Sequence, residues 1–260
     1  MTRTRTTFIA LGLALTWMAM PLGAQGRRGG PPPAAVGPGT IERGTVGGSE
    51  VTVYLPGSYM SDTARRFPVV YLIVERPLEN LKLPEAADRL SSAQGFSTPI
   101  VVMSDVLPAA TAASEKFVAE DLVSYVDMRY RTIAARISRG LGGYGTGGTG
   151  ALRVGMKRSD VFSSLYLMSA ADTSVTMLDA NADNLRRYYA IAIDVGTKDM
   201  SLASNRAMHD AMTRLKVPHY YEEYDGDHTS QAAERVRTHL LPFFSRNLSA
   251  PANPTSPAVQ

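Results

Sequence analysis

The chain has 260 residues, 27 Lys and Arg against 24 Asp and Glu, and no cysteine. That composition excludes a disulfide scaffold, and zero Cys leaves the redox compartment open. Four of the basic residues, Arg3, Arg5, Arg27 and Arg28, precede residue 40, so 40–248 holds 23 basic against 24 acidic residues and offers no patch for nucleic acid.

Residues 1–24 read as a signal peptide. Arg3 and Arg5 form the positive start, FIALGLALTWMAM is an apolar core of 13 residues, and Ala24 closes a cleavable stretch. The alternative is a retained N-terminal anchor, but the run is short for a bilayer span, which needs about 18 or more apolar residues. With the signal cleaved, the expectation is an exported chain, periplasmic or secreted, with no stable membrane span. Residues 25–39, QGRRGGPPPAAVGPG, and the tail 249–260 are too rich in Gly, Pro and small polar residues to build a core, and read as disordered. Residues 40–248 are long enough for one domain.

Within it, VTVYL (51–55), VVYLI (69–73), IVVM (100–103), SLYLM (centred on 165–168), YAIAIDV (189–195) and HYYEEY (219–224) read as strands. Their continuous apolar character predicts strands buried on both faces, as in a parallel sheet. Between them, helical stripes run through Val118, Leu122, Tyr125 and Val126, through Met208, Ala211, Met212 and Leu215, and through Ala232, Val236, Leu240 and Phe243. Strand–helix alternation predicts an α/β fold with a mostly parallel central sheet flanked by helices.

The glycine-rich stretch GGYGTGGTGAL (142–152) admits three readings. GTGGTG (145–150) fits a dinucleotide fingerprint, with Asp172 about 20 residues on as the ribose acid. The preceding RISRGLGG, however, carries two arginines where that fold starts with an apolar strand. The second reading is a nucleophile elbow, in which small residues flank a strained turn at −2 and +2; Gly143 and Gly147 stand there around Gly145. The third promotes Thr146 to nucleophile, which puts the bulky Tyr144 at −2.

The flanking sequence arbitrates. RGLGGYGTGGTGALRVGMKRSDVFSSLYLMSA resembles the elbow region of the secreted esterases that include esterase D, the feruloyl esterases and the antigen 85 mycolyltransferases. VTVYLPGSYMSDTARRFPVVYLI is similar to that family's opening strands, EKFVAEDLVSYVDMRYRT to the helix before the elbow, and IAIDVGTKD and HYYEEYDGDHTSQAAERVRTHLLPFF to its closing segments. The resemblance implies an α/β-hydrolase fold and a Ser–acid–His triad. It aligns Gly145 with the nucleophile, so the serine is absent. It aligns Asp199 with the acid, His228 with the base, and Thr146 with the residue whose N–H serves the oxyanion hole.

The family's His-Gly after its third strand is replaced by Val74 and Glu75, and a carboxylate there would oppose a developing negative charge. The expected cleft is lined by Tyr144, Gly145, Thr146, Val74, Glu75, Asp199 and His228. The expected protein is a pseudo-esterase without cofactor whose cleft takes a carbohydrate or acyl ligand. Two alternatives stand beside it. One is an acyl hydrolase in which Asp199 and His228 activate water or serve an unrecognised nucleophile; the other is a structural or adhesive role. His209, His219 and His239 read as structural, Asp194 as a paired buried acid, and no spacing suggests a metal site.

Overall fold

The computed structural model describes residues 37–75, 78–93, 96–105, 112–171 and 175–248. The segments read as signal peptide and tail, nearly all of the lead-in, and Asp172 lie outside the described residues. Eight strands form one sheet: β1 (Thr40–Val46), β2 (Ser49–Leu55), β3 (Val69–Val74), β4 (Ile100–Asp105), β5 (Arg139–Tyr144), β6 (Ser164–Met168), β7 (Ala190–Gly196) and β8 (Tyr220–Tyr224). Their order is β1-β2-β4-β3-β5-β6-β7-β8. β1 and β2 pair antiparallel, β2 joins β4 antiparallel, and every later pairing is parallel.

The helices are α1 (Gly57–Ser61), α2 (Leu83–Ser91), α3 (Ala112–Lys116), α4 (Leu122–Arg129), α5 (Thr146–Lys157), α6 (Val175–Leu185), α7 (Leu202–Arg214), α8 (Ala232–Arg235) and α9 (Leu241–Asn247). Strands β3, β6 and β7 are buried along their whole length, because parallel strands carry helices on both faces. Alternation then divides β3. Val69, Tyr71 and Ile73 pack into the core shared with α4, α5, α6 and α7, whereas Val70, Leu72 and Val74 pack into the core shared with α2, α8 and α9.

Two strands depart from the expected continuous burial. β8 is an edge strand whose residues alternate, with Tyr220 at its start well exposed. β1, TIERGTV, carries no such apolar run and pairs only with β2. The stripe at 232, 236 and 240 also has a local cause. A spacing of four drifts about 40° per step around an α-helix, but residues Val236–Leu240 form a π-helical turn, whose greater number of residues per turn offsets that drift, and Ala232, Val236 and Leu240 are all buried. A second π turn, Phe117–Asp121, precedes α4. Among the described residues no helix is long and apolar enough to cross a membrane.

Candidate active site

The parallel strands bring their C-terminal ends to one edge of the sheet, where open α/β sheets place their sites. β3 and β5 are neighbours in register, Val74 opposite Tyr144, so Glu75 and Gly145 leave the sheet side by side. β5 turns into α5 through Gly145 alone, at φ +61° and ψ −126°. A side chain at such a positive φ costs about 1–3 kcal/mol, and the backbone keeps that conformation only where the surroundings hold it. The surroundings do so here. The Gly145 N–H donates to the Met168 carbonyl at 3.0 Å, and the Gly145 carbonyl accepts from the N–H groups of Gly148, Thr149 and Ala171.

The flanking glycines are needed for close approach. A Cβ on Gly143 would lie 2.2 Å from the Gly147 carbonyl oxygen, and one on Gly147 would lie 2.1 Å from that of Ile73. This is the geometry of a nucleophile elbow with its side chain missing.

A carboxylate lies where a side chain on Gly145 would project. A Cβ built on Gly145 would sit 2.2 Å from Glu75 Oε2 and 2.9 Å from Oε1. Oε2 accepts the backbone N–H of Thr146 at 3.0 Å and the Thr146 hydroxyl at 3.3 Å. Thr146 is the first residue of α5, so its N–H has no partner within the helix and carries the positive end of the helix dipole. Oε1 lies 2.8 Å from His228 Nε2. Glu75 thus engages both the Thr146 N–H and His228 Nε2.

His228 sits in the loop after β8, and its Nδ1 lies 2.9 Å from Asp199 Oδ2. Asp199 follows β7, and its Oδ1 accepts the Ser201 N–H and hydroxyl, both at 2.8 Å. Both ring nitrogens face carboxylate oxygens, an arrangement that favours a proton on each and so the imidazolium form. Burial pushes the imidazole pKa down, yet the bonds to Glu75 and Asp199 outweigh it and raise the value above the ordinary one. Burial likewise pushes the Asp199 carboxyl up, but the bonds from Ser201 and His228 win and hold it below its usual range.

Exposure grades along the chain of three. The Asp199 side chain is fully covered, His228 is 24 % exposed and Glu75 30 % exposed. Tyr144 stacks on the His228 ring with centroids 4.9 Å apart and donates its hydroxyl to the His228 carbonyl at 2.7 Å.

The structure therefore brings Gly145, Thr146, Glu75, Asp199, His228 and Tyr144 together. Val74 is the exception: it is the last residue of β3, 1 % exposed and packed in the core, because the pleat points it away from the edge that Glu75 reaches. Tyr144 is buried too, and acts as a support under His228 rather than as a cleft wall. Sequence reasoning placed Glu75 beside the oxyanion position as a repelling charge. The observed carboxylate instead bonds the Thr146 N–H, the group that the resemblance assigns to the oxyanion.

Other titratable groups have structural partners. Arg235 reaches Asp194 Oδ2 through Nε at 3.0 Å and Nη2 at 2.8 Å, and grips Glu222 at 2.9–3.0 Å; Tyr166 donates to the same Asp194 oxygen at 2.6 Å. His239 lies 3.2 Å from Glu222. His209 and His219 pair through their rings at 2.8 Å. Among the described residues no group of three His, Cys, Asp or Glu is placed to hold a metal ion.

The fold matches known proteins. A ferulic acid esterase superposes with TM-score 0.69 at 22 % identity, over 80 % of this chain and 97 % of that one. The feruloyl esterase module from Clostridium thermocellum gives TM-score 0.69 at 19 % identity, over 86 % and 95 %. An S-formylglutathione hydrolase from Staphylococcus aureus gives TM-score 0.63 at 17 % identity, over 80 % and 96 %. None of the curated proteins matches by sequence. The model of the Esterase family matches residues 47–233. With that match, and with the mostly parallel sheet described above, the chain belongs to the Esterase family of α/β-hydrolases.

Proposed function

We propose that this is an exported pseudo-esterase: a member of the family without serine-dependent ester hydrolysis, which keeps a cleft for a carbohydrate or acyl ligand. The observation that carries the reading is the Glu75 carboxylate bonded at once to Thr146 N–H and His228 Nε2. An ester needs that N–H for its oxyanion and that nitrogen for proton transfer, and both are taken. The alternative, in which His228 activates a water directly, loses support for the same reason, since the Glu75 carboxylate already stands 2.8 Å from Nε2 where that water would sit. Losing a triad nucleophile costs on the order of 10⁶ in kcat.

Export rests on the signal-like residues 1–24. Ligand binding is supported by an open cavity of about 540 Å³ lined by Asn80, Lys82, Glu85, Arg89, Thr229 and Ser230, the last two following His228 in the chain. Its polar, mixed-charge wall suits hydroxyl-rich ligands more than acyl chains.

The test is hydrolysis of p-nitrophenyl acetate by the full chain and by His228→Ala. The expected result is no turnover that depends on His228. A rate in the parent chain that His228→Ala abolishes would overturn the reading.

A further inference from the structure

The carboxylate in the serine's place has a chemistry of its own. Its Oε2 accepts the Thr146 N–H, its Oε1 touches an imidazole backed by Asp199, and 30 % of its side chain is exposed. A carboxylate that attacks an acyl carbon forms an anhydride, which is more reactive than the ester it came from. Attack on a saturated carbon instead forms an ordinary ester, which an oxyanion donor and a His–Asp pair are suited to hydrolyse.

The protons narrow the leaving group. His228 faces two carboxylates and so starts with a proton on Nε2. A departing halide would have no use for that proton, and His228 would then have to shed it before it could act as a base. The alkoxide released from a strained cyclic ether takes it up and leaves His228 neutral.

We propose that Glu75 is a carboxylate nucleophile that opens epoxides, with His228 as the proton carrier and Thr146 N–H as the oxyanion donor. In the first step Oε1 gives an electron pair to a ring carbon. The ring C–O bond breaks, and its oxygen takes the pair and then the Nε2 proton, directly or through one water. This leaves a hydroxyalkyl ester of Glu75 and a neutral His228.

In the second step water attacks Glu75 Cδ while its proton passes to His228 Nε2, and the carbonyl pair moves onto Oε2 beside Thr146 N–H. The Cδ–Oε1 bond then breaks, and the diol oxygen leaves with the proton from His228. The remaining carboxylic acid returns its proton to Nε2 and restores the starting ion pair. The sum is epoxide plus water to diol, with no proton gained or lost. The proposal goes beyond the pseudo-esterase reading, and ester hydrolysis tests that reading separately.

The test is a single turnover in oxygen-18 water, with the full chain in excess over styrene oxide and, separately, over 1,2-epoxyhexane, followed by peptide mass mapping. The expected first-turnover result is heavy oxygen in the Glu75 carboxylate and ordinary oxygen in the diol. His228→Gln should slow ester breakdown by about 10²–10⁴-fold, so that the hydroxyalkyl adduct accumulates on Glu75. Glu75→Gln should form neither adduct nor diol. Thermal unfolding checks that each variant is folded; if either is not, the isotope result in the parent chain decides. Heavy oxygen in the diol with Glu75 unlabelled overturns the proposal. So does failure of the parent chain to consume either epoxide.

Discussion

Gly145→Ser is expected to destabilise the protein without creating an esterase, and Gly145→Ser combined with Glu75→Gly is expected to create one. The serine Cβ would lie 2.2 Å from Glu75 Oε2, 2.4 Å from Cδ and 2.9 Å from Oε1, all well inside contact distance. The carboxylate must therefore withdraw and lose its bonds to Thr146 and His228. Bonds to charged groups contribute about 1.5–3 kcal/mol each when buried, and less at a side chain that water can re-solvate. The positive φ at 145 adds about 1–3 kcal/mol of strain.

A net loss of about 2–5 kcal/mol corresponds to a fall in Tm of roughly 5–15 °C for a domain of this size. Glu75→Gly removes the clash and returns the Thr146 N–H and His228 Nε2 to the serine. Turnover of p-nitrophenyl acetate should then exceed that of Gly145→Ser by about 10²–10⁴-fold, the range of one general-base contribution. Thermal unfolding and initial rates measure the two arms. A Gly145→Ser variant as stable as the parent and as active as the double variant would refute the placement of Glu75.

Two further outcomes follow from the ion pairs. The His228 pKa lies above its ordinary 6.5, so its contribution to stability is full below about that pH and is lost as pH rises through the higher folded value. Asp199 lies below its ordinary 3.8, so its contribution holds above that pH and is lost as pH falls through the lower folded value. The Tm difference between the parent and His228→Gln should therefore shrink as pH climbs above 6.5; a difference that grows on the alkaline side would contradict the assignment. Arg235→Met strands the buried Asp194, whose carboxyl burial already pushes up against the pull of Arg235. The expected cost is about 3–5 kcal/mol in urea denaturation, and Asp194→Asn in the same chain should recover part of it. A loss under about 1 kcal/mol would remove the pair from the structural account.

Much of the fold can be read from local pattern. The runs at 69–73, 100–103 and 165–168 are rich in β-branched or large apolar residues, and each lies within an observed strand. β1 has no such signal. Thr40–Val46 includes Glu42, Arg43 and Gly44, is largely exposed, and is held by its ladder to β2 rather than by burial. The π turns are equally silent, since a spacing of four looks like an ordinary stripe until it repeats.

At the site, Asp199, His228 and Gly145 are named through the resemblance that their flanking segments carry, because spacing alone leaves a turn aspartate and a capping histidine equally open. What sequence could not supply is direction. Glu75 and Gly145 read as two independent departures from the family pattern. The register that sets Val74 opposite Tyr144 makes them one, because a single carboxylate spans the gap. Val74 erred for a related reason: one residue along a strand reverses which face a side chain serves.

That register also constrains the routes by which such a sequence can change. A chain with any side chain at 145 has no room for the Glu75 carboxylate where it now lies, since even a methyl group would stand 2.2 Å from Oε2. A chain with Glu75 in that position favours glycine at 145, since any side chain there has to push the carboxylate off Thr146 and His228. Stepwise paths into this arrangement therefore run most easily through glycine first, and stepwise paths out through loss of the glutamate first. Contact between the two positions sets the order of the changes, and a library of single substitutions reaches the first step of the exit but never the pair.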